Sequence, residues 1–525
     1  MPSHRYFFSS RTLSGHCDNS PQARNSSLTA APKPLTQSVR ADQTRSAQDL
    51  SAMPSSTAAA SSGQGATDST PGRLIMISVL VATMGALAYG YDTGIISGAL
   101  PFMTQPAAQG GLGLTSVTEG AVTSALIIGA AFGSLASGFL SDHFGRRLTL
   151  RLLSLLLVVG AIGTATAPSI PLMVVARFIL GIAVGGGSAT VPVFIGEIAG
   201  PKRRAPLVTR NELMIVSGQL LAYVLSALMA ALLHSDSVWR YMLAIAAVPG
   251  LLLLVGTFFV PASPRWLAHK GRFDDAREVL ERLRDTPEEA EREVQDMKTQ
   301  AAQAKKQKVP ARELLRQAWV IKLLLIGIGL GFTLQFTGVN AFMYYTPIIL
   351  KNTGMGTNAA ITATIGNGVV SVIATLLGIR AINRFGRRTL LITGLSVVVL
   401  AQLSLGAILT FMPSSLAQSY SALACILVFL LFMQMCISPV YWLLMSELFP
   451  MQVRGMLTGT AVSIQWVFNA LVAFAFPLTL AAMGNATFLI FAVLNVCSAL
   501  FVFFCLPETK GKSLEAIEKH MKKEL

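Results

Sequence analysis

The feature of this sequence that most constrains its fold is a series of twelve apolar runs, each long enough to cross the roughly 30 Å hydrocarbon core of a bilayer as a helix. Water does not solvate backbone groups inside a membrane, so each run is expected to be helical. The runs lie near residues 74–99, 121–141, 148–167, 171–195, 211–233, 241–260, 320–350, 359–382, 389–411, 421–445, 456–482 and 486–506. The sequence therefore predicts an all-α membrane protein with twelve transmembrane helices.

Composition agrees with a membrane protein and excludes several other classes. Only 13% of the 525 residues are charged, whereas soluble domains average about a quarter. The net charge of +15 would suggest nucleic acid in a polar chain, but here the basic residues lie in short loops between apolar runs, so we predict no nucleic-acid partner. The five cysteines lack C-x-x-C spacing and no catalytic constellation can be assembled. We predict no metal, no cofactor and no enzymatic activity.

The distribution of basic residues predicts the orientation. Arg146, Arg147, Arg387 and Arg388 follow the second and eighth runs, and further basic residues follow the fourth and tenth. The alternate loops hold only Arg240 and Lys351. Because basic loops stay in the cytoplasm, we expect a multi-pass protein of the plasma or inner membrane with both termini cytoplasmic.

Three markers recur at a spacing near 245 residues, which indicates a duplicated six-helix unit. Phe144-Gly-Arg-Arg147 recurs at 385–388, Glu197 with Arg204 recurs as Glu447 with Arg454, and 261–265 recurs loosely at 507–511. Parallel repeats of this kind place a substrate site between the halves near the bilayer midplane. We expect a disordered tail at 1–72, six-helix bundles at 73–260 and 319–506, linker helices at 261–318 and a cytoplasmic tail at 507–525.

Six motifs give the chain a resemblance to the sugar porter family of the major facilitator superfamily. They are GYDTGIISG at 90–98, DHFGRR at 142–147, SPRWL at 263–267, QFTGVN at 335–340, SELFP at 446–450 with Arg454-Gly455, and PETKG at 507–511. The stretch 211–219 resembles bacterial myo-inositol porters. The resemblance implies the major facilitator fold and transport of a small neutral sugar or polyol.

Two charges inside apolar runs require an explanation, because a charge in hydrocarbon costs at least about 2.5–3.5 kcal/mol. Asp92 in the first run and Arg177 in the fourth fall at similar depths if the helices alternate in direction, so we expect an ion pair. Family members with this pair are typically proton symporters, so the resemblance implies that Asp92 and Arg177 couple proton and sugar movement. Glu212 is a further intramembrane acid, for which we leave open a cytoplasmic contact or a substrate or proton role.

Neutral amides and aromatic rings suit a hydroxyl-rich ligand, since amides offer donor and acceptor without the desolvation cost of a charge. The resemblance places sugar contacts at Gln219, Gln335, Asn340, Trp442 and Gln465. Helical spacing adds Asn469, which shares a face with Gln465, and Tyr344 offers an aromatic ring on the seventh run. Gly338 is expected to loosen the seventh helix.

Charged residues at the cytoplasmic helix ends are expected to form a gate, an ion-pair network between the halves that breaks on inward opening. They are Arg146, Arg147, Glu197, Arg204, Arg387, Arg388, Glu447 and Arg454. We predict a secondary active transporter that moves a hexose, pentose or myo-inositol with protons by alternating access. A facilitative uniporter and a non-transporting sugar sensor are the alternatives, and a drug/proton antiporter suits the amide-rich helices less well.

Overall fold

A computed structural model of the chain describes residues 70–233, 235, 237–306, 317–449 and 453–510, apart from the side chains of 70, 71, 200–206, 208, 209, 300–306, 383, 446, 454 and 455. The tail expected at 1–72 lies outside the described residues except for its last three, because the first helix already begins at Thr70. Most of the tail expected at 507–525 also lies outside them.

The described residues contain twelve helical segments long and apolar enough to cross a membrane, as predicted. We number them as spans in chain order. Eight are single helices: Thr70–Met103, Ser116–Phe144, Arg146–Thr166, Ile170–Ile198 and Gly200–Leu232 for spans 1 to 5, Arg387–Phe411 for span 9, Arg454–Met483 for span 11 and Ala486–Cys505 for span 12. Spans 6, 7 and 8 consist of Val238–Ala244 with Ala247–Gly256, Ala318–Phe336 with Val339–Asn352, and Thr357–Ala363 with Ile365–Arg384.

Two of the interruptions in the second half of the chain, in spans 7 and 10, lie near the predicted site residues. Span 7 breaks at Thr337 and Gly338, and Gly338 has a φ of 81°, a left-handed conformation that favours glycine. The predicted loosening of this helix is therefore confirmed. Span 10 runs from Leu416 to Glu447 and contains a π-helical turn at Met433–Ile437. Such turns are rare and often lie at functional sites.

Glycines allow spans 2 and 4 to pack backbone against backbone. A Cβ added at Gly181 would lie 2.0 Å from the Leu126 carbonyl oxygen, and one at Gly185 would lie 2.0 Å from that of Ala130. Without a hydrophobic driving force inside lipid, this close van der Waals packing is what holds transmembrane helices together. It also fixes the position of Arg177, which lies one turn before Gly181 on the same helix.

In the described part of the chain, the hydrogen bonds between the two halves lie away from the basic loops. We call the face that carries Arg146, Arg147, Arg387 and Arg388 the arginine end, and the other face the opposite end. The described hydrogen bonds between the halves lie at mid-membrane or nearer the opposite end: Thr123 Oγ1 to the Ala473 carbonyl (3.3 Å), Thr123 Oγ1 to Tyr345 Oη (3.3 Å) and Gln219 Nε2 to Met343 Sδ (3.4 Å).

In its described residues, the segment between the halves forms three helices, Pro264–His269, Phe273–Leu283 and Pro287–Lys306. They are anchored on the first half at the arginine end. The Ser263 hydroxyl donates to Glu197, and the Arg284 guanidinium donates to the Ile198 carbonyl at 3.0 Å and pairs with Glu293 at 2.9 Å. The described part of the linker is therefore a structured part of the first bundle's surface.

Candidate functional site

Asp92 and Arg177 meet inside the first half of the bundle. Arg177 Nη1 lies 2.9 Å from Asp92 Oδ1 and 3.1 Å from Oδ2, and each side chain is only 2% exposed. Arg177 Nε also donates to the Val122 carbonyl of span 2, at 3.4 Å. Each buried charge is thereby paired, which offsets most of the cost of removing it from water. The structure brings together the two charges that the sequence placed at equal depth.

Three of the predicted substrate residues form one connected amide cluster. Asn340 Nδ2 donates to Gln335 Oε1 at 3.1 Å and to Asn469 Oδ1 at 2.8 Å, so it joins the two pieces of span 7 to span 11. The break at Gly338 makes this possible, because it turns Asn340 back toward Gln335 across the interrupted helix. Gln335 and Asn469 are buried, while Asn340 is partly exposed.

Other buried polar atoms near the same level have no described partner. They include Gln219 Oε1 and Gln465 Oε1, which are acceptors, and Trp466 Nε1, which is a donor. The Trp466 ring packs edge-on against Tyr89 of span 1 with centroids 6.1 Å apart, so this region joins the two halves. Buried polar groups in proteins are nearly always hydrogen-bonded. Unpaired acceptors and a donor together fit a ligand that carries hydroxyl groups.

The remaining predicted contacts lie in different environments. Tyr344 is buried on the second piece of span 7, next to the Met343 sulfur that Gln219 contacts. Trp442 is 41% exposed and packs edge-on against Tyr441 after the π-helical turn of span 10.

Glu212 is partly buried on span 5, and the described residues give its carboxylate no hydrogen bond or ion pair. It lies two helical turns, about 10 Å, from Gln219 toward the arginine end.

The ion pairs that the structure describes at the arginine end lie within each half. Arg146 Nε contacts Glu197 at 3.0 Å, and Arg387 Nη2 contacts Glu447 at 2.9 Å. Arg147 donates to the carbonyls of Thr257 and Phe258, and Arg388 donates to that of Phe503. The side chains of Arg204 and Arg454 lie outside the described set. An ion-pair network between the halves stays a prediction.

Glu508 completes the arginine end of the second half. Its carboxylate accepts the backbone N–H groups of Arg387 (2.9 Å), Arg388 (3.1 Å) and Lys510 (3.0 Å), so it binds the start of span 9. Partial burial opposes the charged form, but these backbone hydrogen bonds outweigh it and hold the pKa of Glu508 below its ordinary value. Sequence reasoning did not single out this residue, although it lies in the PETKG motif.

The two halves contact each other near the opposite end, and we call this contact the closed seam. Sequence reasoning also missed its polar groups. Glu119 and Thr123 of span 2 face this seam, where Thr123 contacts Ala473 and Tyr345. Glu119 lies at the start of an apolar run, and acidic residues are common in the first turn of a helix because the helix dipole favours them. A sequence signal was nevertheless present, because few acids lie within the spans.

Comparisons with known proteins agree with this geometry. The chain matches the family model described as "Sugar (and other) transporter" over residues 78–521. It is 44% identical to the major myo-inositol transporter IolT of Bacillus subtilis, over 85% of this chain and 93% of that protein. It is 35% identical to the galactose-proton symporter of Escherichia coli K12, over 84% and 93%.

Solved structures give the same result. The xylose transporter XylE from Escherichia coli, in a partially occluded inward-open conformation, superposes with a TM-score of 0.72 at 30% identity, over 84% of this chain and all of that one. The proton:xylose symporter XylE bound to 6-bromo-6-deoxy-D-glucose gives 0.70 at 31% identity, over 86% and 100%.

Proposed function

Because the chain belongs to the sugar porter family of the major facilitator superfamily, we propose that this transporter is a symporter that moves a monosaccharide or cyclic polyol together with a proton. The single observation that carries the proposal is the Asp92–Arg177 ion pair, a charged pair buried in the middle of a membrane protein. A purely facilitative carrier of a neutral sugar needs no titratable group there, and charges inside membrane spans are rare and usually functional.

The ion pair gives a proton an effect on helix packing. When Asp92 binds a proton, its charge disappears and Arg177 loses its counter-ion while keeping the contact to the Val122 carbonyl. The electrostatic attraction between span 1 and span 4 is then lost. The equilibrium between the outward-open and inward-open arrangements of the bundle therefore changes. A proton bound at one face of the membrane and released at the other drives the cycle in this scheme.

The proposed ligand site comprises the amide cluster of Gln335, Asn340 and Asn469 and the unpaired atoms of Gln219 and Gln465. Vicinal hydroxyls can donate to the free amide acceptors and accept from the cluster's N–H groups. Trp442 and Tyr344 offer aromatic surface for the apolar face of a ring. The five amide side chains carry no charge, which favours a neutral substrate.

Among substrates we favour myo-inositol first. The relative named as a myo-inositol transporter is 44% identical, whereas the galactose-proton symporter is 35% identical. Glu212, which has no described partner, lies about two turns from Gln219 on the same face of span 5. A carboxylate can accept two hydroxyl groups of a polyol, so Glu212 is the residue we expect to influence substrate preference.

We further propose that the arginine end faces the cytoplasm, on the basis of the positive-inside rule. The described hydrogen bonds between the halves lie at mid-membrane or toward the opposite end, which fits an arrangement open to the cytoplasm. In the outward-open arrangement we expect the arginine-end residues of the two halves to approach each other. Glu447→Ala would then shift the population toward the inward-open form.

Uptake by the full-length protein in a transport-deficient host tests the proposal. Radiolabelled myo-inositol, hexoses and pentoses are supplied separately, with and without a protonophore, while external pH is recorded in a lightly buffered suspension. We expect accumulation of at least one substrate above its external concentration, alkalinisation on its addition, and loss of both with the protonophore. Uptake that only equilibrates, without proton movement, would establish a uniporter instead.

A further inference from the structure

A second acid, Glu119, lies where the two halves close against each other. It is 8% exposed, and its Oε1 atom is buried with no hydrogen-bond partner among the described residues. It occupies the first turn of span 2, next to Gly120, where an added Cβ would lie 2.7 Å from the Phe474 carbonyl oxygen of span 11. The two halves therefore approach within backbone contact beside this carboxyl group.

The neighbours of Glu119 supply no described counter-ion. On the same helix, Gly120 approaches Phe474 of span 11, and Thr123, one turn beyond Glu119, contacts the Ala473 carbonyl and the Tyr345 hydroxyl at 3.3 Å each. The charged side chain in the middle of span 4, Arg177, is engaged by Asp92.

Two further basic groups lie at the same end of the bundle. Arg240 donates to the carbonyls of Ala165 and Ala167, and Lys351 is exposed at the end of span 7. Neither forms a described ion pair with Glu119, so the acid lies in the closed seam without an opposite charge.

An ionised carboxylate is costly in such a place, because a buried charge without a partner loses its hydration and gains nothing in exchange. When the seam opens, the same carboxylate reaches water at the N-terminus of a helix, where the helix dipole favours its charged form. The two arrangements of the bundle therefore differ in their affinity for a proton at this position.

We propose that Glu119 is a second proton-binding site, distinct from the Asp92–Arg177 pair, and that its protonation permits the halves to close at the opposite end. The inference rests on the proposed transport function and adds to it a control of carrier reorientation by pH. Since Glu119 takes up and releases its proton at the same face, it moves no net proton across the membrane. It makes reorientation of the carrier depend on pH at that face, while Asp92 carries the transported proton.

Distance measurements by pulsed electron paramagnetic resonance test the proposal without any substrate. Spin labels are attached at Ala108→Cys and Ser414→Cys, in exposed loops of the first and second halves at the opposite end, with the native cysteines replaced by serine. The Asp92→Asn background removes the pH response of the proposed coupling pair. Samples of the full chain in lipid nanodiscs are compared between pH 5 and pH 8.

With Glu119 intact, we expect the long-distance, open population to increase with pH by up to about tenfold per unit, the limit for one titrating group. Glu119→Gln, which resembles the protonated acid, should hold the short distance at every pH. Glu278→Gln in the exposed linker is the matched control and should behave as its parent. Thr123→Val removes a seam hydroxyl without removing a titratable group, so it should change the distances equally at all pH values.

Two results would overturn the inference: distances that do not respond to pH with Glu119 intact, or a pH response that persists in Glu119→Gln. Either result leaves the symport proposal untouched, because that proposal is decided by proton movement during uptake. Conversely, a uniporter with a pH-sensitive seam would refute symport and retain the role of Glu119 in closure.

Discussion

Replacing Asp92 by Asn removes one charge of the buried pair and almost nothing else. Asn has nearly the same shape, and its Oδ1 can still accept one hydrogen bond from Arg177 Nη1, which in the native protein contacts both carboxylate oxygens. Removing one partner of a buried pair costs about 3–5 kcal/mol. The remaining hydrogen bond and the Val122 contact place this variant near the lower limit, so we expect a folded but less stable protein.

The functional magnitude follows from one titratable carboxylate in the pair. If one proton accompanies each substrate molecule, a gradient of one pH unit supplies about 1.4 kcal/mol, which supports about tenfold accumulation. Asp92→Asn should reduce this ratio to about one, because the site no longer binds and releases a proton. Exchange of labelled for unlabelled substrate should persist, since exchange needs reorientation of the loaded carrier and no net proton movement.

The assay uses proteoliposomes with an imposed pH gradient, and measures accumulation and exchange on the same preparation. Asp296→Asn, an exposed acid of the linker, is the control and should accumulate as the native protein does. Accumulation by Asp92→Asn at the native level would refute the coupling role of the pair. Loss of exchange together with accumulation, in a correctly folded variant, would assign the pair a structural role instead.

Three other predictions concern the ligand site, the helix packing and the arginine end. Asn340→Ala removes the amide that joins Gln335 to Asn469 and, in the proposed site, one hydrogen bond to the substrate. It should therefore raise the KM for uptake by up to about tenfold, at roughly 0.5–1.5 kcal/mol for that bond; an unchanged KM would exclude Asn340 from the site. Gly181→Ala places a Cβ 2.0 Å from the Leu126 carbonyl and should lower the Tm in detergent by several degrees, whereas Gly187→Ala, with no atom within 4 Å, should not; equal Tm values would contradict the packing. Glu508→Gln weakens the cap of span 9 and should cost about 1 kcal/mol at pH 7. Because the folded pKa of Glu508 is lowered, its contribution is present above the ordinary pKa and disappears as pH falls through the folded value, so the Tm difference between native protein and variant should narrow toward pH 4.

Much of the fold could be predicted from the sequence because a bilayer permits few solutions. Each apolar run had to be a helix, and the twelve predicted spans correspond to twelve helical segments in the described part of the chain. The depth argument also succeeded for Asp92 and Arg177, because a helix has a fixed rise per residue and a lone charge in lipid requires a partner. The break in span 7 could also be predicted, from Gly338.

The candidate site could be predicted only in part from the sequence. The types of residue that suit a polyol could be chosen, but their pairing could not, since Asn340 meets Asn469 across 129 positions of the chain only after two spans have packed together. The linker's attachment through Ser263 and Arg284 and the π-helical turn of span 10 likewise left no clear local signal. Trp442 was expected against substrate and is 41% exposed in this arrangement.

The sequence by itself determined that this chain crosses a membrane twelve times, as two related halves with a charged pair in the first. Hydrophobicity, helix rise and the cost of an unpaired charge act locally along the chain and can be read from it. Only the tertiary structure decided which face of the bundle is closed and which polar atoms are left without partners there. Those properties depend on how two separately packed halves meet. The rarity of acids within the spans marks Glu119 in the sequence, but only that contact places it in the seam.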